Sequence, residues 1–212
     1  MTMAQLDPEE FRELIHDEGE TILWYRAAPN PANNPGTNDF DEAVDDTLYA
    51  AVNLSNSVKV LITQAQREYT DRDFGAVQKG DLFLTTMPDE VRIGTMDKVI
   101  LSNRTWETKE RHVKGTDDTL QFMPVVSVTE IRDEAHGIIA TARYIVDLAT
   151  GTITFNGTPI PATEATYTVT YLYHPTFWYI GAAQSGNRPA PGFGEALPQR
   201  GMLSWKRPGG EE

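Results

Sequence analysis

The sequence has no cysteine, only four histidines, and no apolar run near the ~20 residues that a membrane-spanning helix needs. Each absence excludes something. Without cysteine there is no disulfide framework, no zinc–thiolate site and no cysteine nucleophile. That suits assembly in a reducing cytoplasm. His16, His112, His136 and His174 show no H-x-H or H-x-x-x-H spacing, so they read as surface or packing residues and not as metal ligands. His174 precedes Pro175, which favours a turn there. The opening Met1-Thr-Met-Ala-Gln leads into acidic residues and not into a basic, then apolar, stretch. This predicts no signal peptide and a soluble chain that does not enter a membrane. No G-x-S-x-G, S-x-x-K or Walker pattern occurs. Gly192-Phe-Gly194 lacks the third glycine and the strand–turn–helix setting of a phosphate cradle. Nothing in the residues points to a cofactor.

Positive charge is also scarce, and unevenly so. Eighteen Lys and Arg face 31 Asp and Glu, a net charge of −13 over 212 residues. Residues 1–50 hold 12 acidic and 2 basic side chains, a balance of −10, which leaves −3 for the rest. Phosphate binding needs clustered Lys and Arg, so nucleic-acid adhesion is not expected. Acidity keeps a protein soluble, and it would also make a non-adhesive wall beside DNA. A chain of this length buries roughly 70% of its unfolded surface, so no staple is required.

What is present is mostly strand pattern. Asp7-Pro-Glu-Glu10 predicts a helix start, with Asp7 as cap and Pro8 at the first helical position. Phe11, Leu14 and Ile15 form one apolar face, and Gly19 ends the helix. Residues 20–28 read as a strand. Residues 29–46 contain three prolines and a run of acids, which predicts a long irregular loop. From residue 47 short strands follow one another, at 58–63, 81–86, 98–101, 105–113, 123–131, 138–148, 152–155 and 166–173. Turn signals separate them at Asp117-Asp118, Ala149-Thr-Gly151 and Asn156-Gly157. The expected fold is mainly β, a barrel or sandwich with a short N-terminal helix, the long acidic loop and an extended C-terminal arm. The expected organisation is 1–46 (helix, strand and loop), 47–181 (β core) and 182–212 (arm). The arm is rich in Gly and Pro, holds four basic residues and one acid over 182–209, and cannot form its own core. It either stays floppy or lies across a neighbouring surface with Phe193, Leu197, Leu203 and Trp205 as anchors.

Candidate chemistry is thin. Asp39, Asp41 and Asp45 superficially suggest a calcium loop, but Val44 stands where the sharp turn needs Gly and no Glu occupies the twelfth position. Carboxylates are plentiful and none is singled out as an acid/base pair. The aromatic run Tyr167, Tyr171, Tyr173, Phe177, Trp178 and Tyr179 reads either as a sugar-stacking platform or, more commonly, as a packed face, and its first three tyrosines alternate and so share one strand face.

Two segments resemble a known family. Glu68-Tyr-Thr-Asp-Arg-Asp-Phe-Gly-Ala-Val-Gln-Lys-Gly-Asp-Leu-Phe-Leu84 is similar to an FG…GD-hydrophobic stretch of tailed-bacteriophage neck proteins. There it precedes a proline-containing loop, here Met87-Pro-Asp-Glu-Val-Arg-Ile-Gly94, and an Asp with a short strand, here Asp97-Lys-Val-Ile-Leu101. The stretch Ala165-Thr-Tyr-Thr-Val-Thr-Tyr-Leu-Tyr-His-Pro-Thr-Phe-Trp178 resembles a second segment of such virion proteins, followed by a basic, proline-containing arm, here Leu197-Pro-Gln-Arg200. Relatives carry basic and histidine-rich residues after that strand, where this chain has Gly-Asn-Arg-Pro-Ala-Pro.

The resemblance implies a non-enzymatic head-closure (stopper) or head–tail joining protein in the virion neck, made in the host bacterial cytoplasm. It would form a homo-oligomeric ring between a portal or adaptor protein and a tail-terminator or tail-tube protein, with packaged DNA passing without specific binding. The implied subunit interface comprises Phe40 in the acidic loop and Arg188, Phe193, Leu197, Arg200, Leu203 and Trp205 in the arm. The implied channel loop carries Met87, Asp89, Glu90 and Arg92. Deleting 182–212 is then expected to leave a folded monomer that no longer joins the ring. The alternatives are a baseplate or fibre-attachment protein that binds protein or glycan through the aromatic face, and a β-rich hydrolase of unrecognised type.

Overall fold

The computed structural model describes residues 8–29, 47–51, 58–71, 75–87, 93–94, 96–135, 137–156, 161, 164–181 and 199–205. Helix α1 (Pro8–Glu18) begins at the expected proline. Gly19 follows its last residue, and glycine is needed there: a Cβ would lie 2.1 Å from the Ile15 carbonyl oxygen, which accepts the Gly19 N–H. Ile15 is the buried residue of the apolar face. Among the described residues fourteen strands follow: β1 (Glu20–Pro29), β2 (Thr47–Ala51), β3 (Val58–Gln64), β4 (Tyr69–Asp71), β5 (Gly75–Val77), β6 (Leu82–Thr86), β7 (Lys98–Ile100), β8 (Trp106–Val113), β9 (Val125–Asp133), β10 (Tyr144–Asp147), β11 (Thr152–Phe155), β12 (Thr166–Tyr173), β13 (Thr176–Gly181) and β14 (Gln199–Ser204). The chain is mainly β with one short helix, and the choice between barrel and sandwich falls to a closed six-stranded barrel.

Two compact units share the chain, residues 1–100 with 177–212 and residues 101–176. The boundaries expected near 46 and 181 therefore do not delimit the units. Strands from all three expected segments belong to one barrel, because a closed ladder recruits its strands by pairing and not by sequence order.

The barrel order is β1-β3-β6-β14-β13-β7, and β7 pairs back to β1. β1 is long enough for several partners: Glu20–Ile22 pair with β3, Leu23–Tyr25 with β7, and Tyr25–Pro29 with β2. β6 is buried on both faces, which fits its unbroken run Leu82-Phe-Leu-Thr-Thr86. Ile22, Trp24, Val60, Leu84, Val99, Phe177, Tyr179 and Leu203 are buried with it. Closure removes the free edges that a six-stranded open sheet would present.

The expected C-terminal arm contains the strand that closes this barrel. β14 pairs antiparallel with both β6 and β13. Gly201 is required there: a Cβ would lie 2.2 Å from the Tyr179 ring. Deletion of 182–212 thus takes out a barrel strand and is not expected to leave a folded monomer.

Unit 101–176 is built on a three-stranded antiparallel sheet, β8-β12-β9, with a β10-β11 hairpin. Central β12 alternates cleanly, with Tyr167, Val169, Tyr171 and Tyr173 buried and the threonines and Leu172 half-buried on the other face. Leu120, Val125, Ile131, Ile139 and Ile153 complete the core. The single strand expected over 138–148 is interrupted. Ile139 N–H bonds to Ile131 on β9, a 3-10 turn follows over Thr141–Arg143, and only Tyr144–Asp147 pairs with β11. One segment serves two ladders, and the turn carries it from one to the other.

Candidate functional site

Each unit, taken by itself, has a place where several polar groups meet around a buried side chain. In the barrel that place is Asp97, which is 2% exposed just before β7. Its Oδ2 accepts from Trp24 Nε1 at 2.7 Å and from Gly94 N at 2.8 Å, and its Oδ1 accepts from Ala27 N at 2.9 Å. The Asp97 backbone N–H donates to Gly94 O, and its carbonyl accepts from Tyr179 N. Met96, at φ 76°, is held in the left-handed region by donating to Tyr179 O. One carboxylate thus ties the turn before β7 to β1, and its backbone ties that turn to β13. A buried carboxylate is tolerated because three donors replace its water.

In unit 101–176 the polar cluster lies on the inner side of β8. Period two puts Trp106, Thr108, Glu110 and His112 on one face and Glu107, Lys109 and Arg111 on the exposed one. His112, 3% exposed, has Nε2 3.1 Å from Glu110 Oε2 and Nδ1 3.1 Å from the Asp117 carbonyl oxygen. Its ring stacks on Tyr167 with centroids 5.5 Å apart. The Tyr171 hydroxyl donates to Glu110 Oε1 and accepts from Phe122 N at 3.0 Å. Gln121 N donates to Glu110 Oε2 at 3.1 Å. Tyr167 donates to Asp118 Oδ1 at 2.7 Å, and Asp118 Oδ2 accepts from Gly115 N. Burial, and then the bonded carboxylates, push the Tyr167 and Tyr171 hydroxyls well above the ordinary phenol range.

A cleft of about 490 Å³ opens beside this cluster, lined by Glu110, Arg111, His112, Asp117, Thr119, Leu120 and Gln121. Its polar walls are engaged with one another. Glu110 receives three donors, and both His112 nitrogens face acceptors. The arrangement pins the turn 114–118 and the crossing segment 119–122 onto the sheet. Among the described residues, no three His, Asp or Glu side chains converge in a metal-binding group.

The residues expected to be functional scatter. Phe40, Asp89, Glu90, Arg92, Arg188, Phe193 and Leu197 lie outside the described residues, as do Asp39, Asp41, Asp45 and His136. Met87, expected to project into a channel, is 2% exposed, since it continues the buried run of β6. Leu203, expected to anchor on a neighbour, is 5% exposed on β14 inside its own barrel. Arg200 sits on the same strand with its guanidinium 4.1 Å over the Phe83 ring. Trp205 follows β14, is 44% exposed, and packs on Phe177 at 4.4 Å between centroids. The structure therefore gathers Arg200, Leu203 and Trp205 at one barrel strand. His112 and His174 are packing residues, the latter bonding Arg104 O through Nδ1 at 2.9 Å.

Sequence reasoning quoted Asp97 only within a resembling segment and assigned a role neither to it nor to Glu110. For Glu110 a signal was available, because alternation in 105–113 puts Glu110 and His112 on the face of Trp106. For Asp97 one donor, Gly94 N, is three residues away, but the other two come from residues 24 and 27, and no local pattern announces those.

Fold and polar clusters define a β-barrel protein with a second β unit inserted between two barrel strands. Comparison with protein-family models finds no match, and comparison with the curated proteins finds none either.

Proposed function

We propose that this chain is a structural subunit of a tailed-bacteriophage neck, a head-closure or head–tail joining component that encircles the DNA path. The observation that carries the reading is the place of the two resembling segments. Residues 68–84 run through β4 and β5 into β6, and residues 165–178 run through β12 into β13. β6 and β13 flank β14, the strand that closes the barrel. A closed barrel is a stiff body suited to repetition around a ring. A net charge of −13, most of it in the first 50 residues, suits a wall past which DNA slides without adhering. Contacts repeated around the ring stabilise it through avidity. The partners in this reading are further copies of the chain, a portal or adaptor protein on the capsid side and a tail-terminator or tail-tube protein on the other. Of the aromatic run that the alternative of glycan or protein recognition would use, Tyr167, Tyr171, Tyr173, Phe177 and Tyr179 are buried, and Trp178 is half-buried.

The test is light scattering on the purified chain, alone and mixed with candidate portal-side and tail-side proteins. A ring-sized assembly that forms only with one of them is the expected outcome. A chain that joins neither overturns the reading.

A further inference from the structure

β8 is the outer strand of the β8-β12-β9 sheet, and the direction of its backbone groups can be read from the turn that follows it. Lys114 faces β12, since its N–H donates to Ala165 O and its carbonyl accepts from Glu164 N. Val113 faces the other way, its carbonyl accepting from Thr116 and Asp117 N. Backbone groups alternate sides along a strand, so those of Trp106, Thr108, Glu110 and His112 point to β12 and those of Glu107, Lys109 and Arg111 point outward. The side chains of Glu107, Lys109 and Arg111 are exposed. Among the described residues, no strand pairs with β8 on that side.

Such an edge is a template for another strand. The sequence of this edge selects its partner. Laid antiparallel against a second copy of itself with Thr108 opposite Thr108, β8 sets Glu107 opposite Lys109 of the other copy and Lys109 opposite its Glu107. Both pairs are complementary, both lie among the outward-bonding residues, and the central Thr–Thr pair is a favoured cross-strand neighbour. A slip of one residue in each copy puts Lys109 against Lys109 on the two-fold axis and sets Glu107 against Arg111 on either side, so the charge variants at 107 and 109 distinguish the two registers.

We propose that β8 is a self-pairing edge, through which two copies of this chain join their three-stranded sheets into one six-stranded antiparallel sheet across a two-fold axis. The contact is isologous: each strand uses up the edge of the other, and the pairing closes at two copies. It therefore goes beyond the neck reading, which needs contacts that propagate around a ring, and its failure would leave the ring test above untouched. The pairing keeps an open edge from recruiting unrelated strands in the free chain.

The experiment is sedimentation of the full-length chain over a concentration series, with variants that read backbone and charge separately. The wild-type chain is expected to populate a dimer that weakens as salt rises. Lys109→Glu sets Glu107 of each copy against a like charge and is expected to weaken the dimer roughly tenfold or more. The double variant Glu107→Lys with Lys109→Glu restores both pairs in reverse and is expected to regain the wild-type constant. Lys109→Pro removes an outward N–H that the β12 ladder does not use, so it should abolish the dimer while the thermal transition persists. Hydrogen exchange at the amides of 107 and 109 should slow with concentration. A chain that stays monomeric throughout, or a dimer indifferent to Lys109→Pro and to the charge variants, overturns the proposal.

Discussion

The consequential residues here are the ones whose polar atoms cannot return to water. Asp97→Ala strips an acceptor from Trp24 Nε1, Ala27 N and Gly94 N at once, and is expected to destabilise the barrel by about 3 kcal/mol or more. Asp97→Asn retains an oxygen for some of those donors but must turn its NH2 toward another, so its cost should fall between Ala and wild type. Urea denaturation midpoints check the order. The buried phenols make a second prediction. Burial raises the Tyr167, Tyr171 and Tyr179 hydroxyls above the ~10 of an unfolded tyrosine. A folded pKa above the unfolded one means that the stabilisation is complete below about pH 10 and is lost progressively as pH climbs past it. In an alkaline titration the tyrosinate absorbance of these residues should therefore appear together with loss of circular dichroism, and not before.

Among the elements, β14 decides whether the barrel closes. Gly201→Ala drives a methyl into the Tyr179 ring and should cost about 1–3 kcal/mol, the range for overpacking a filled site. Leu203→Ala removes a side chain that is 5% exposed and should cost about 2–5 kcal/mol. Trp205→Ala, at a residue 44% exposed, should cost less than either. A chain truncated before residue 199 leaves β6 and β13 without the strand between them, and thermal melting should show the barrel transition lost. β14 was hidden in the sequence for a physical reason. Gln199-Arg-Gly-Met-Leu-Ser204 carries a glycine and only two apolar side chains, so neither branched residues nor a strict alternation marks it. Its pairing comes from the two strands beside it. β12 is the opposite case: its threonine–tyrosine alternation made it legible, and only the face it presents had to wait for the fold.

At the scale of the whole molecule the chain leaves the barrel after β7 and returns at β13, and the inserted unit brings its own ends together. Leu101 N donates to Pro175 O at 3.0 Å. Residues 101–176 also hold a core of their own around Leu120, Ile131, Val169 and Tyr171. Expressed alone, this segment should fold and melt in a single transition with near-native far-ultraviolet circular dichroism. In the complementary chain, a short Gly/Ser linker in place of 102–174 should still let the barrel close. A segment that stays unfolded alone would mean that its core depends on the barrel.

By itself the sequence determined the class of fold, the helix from Pro8 to Gly19 and most strands of the inserted unit. Each of these rests on neighbours within a few residues: a stop glycine, an alternation of period two, a turn between two apolar runs. Tertiary structure alone decided the closure of the barrel, the two-part division of the chain, and the roles of Asp97 and Glu110. Those depend on groups brought from distant positions, residues 24 and 27 around one carboxylate and residue 171 around the other, beside nearer ones at 94, 112 and 121. Hydrogen-bond partners that far apart leave no period in a sequence, because what selects them is the requirement that a buried charge be met by donors.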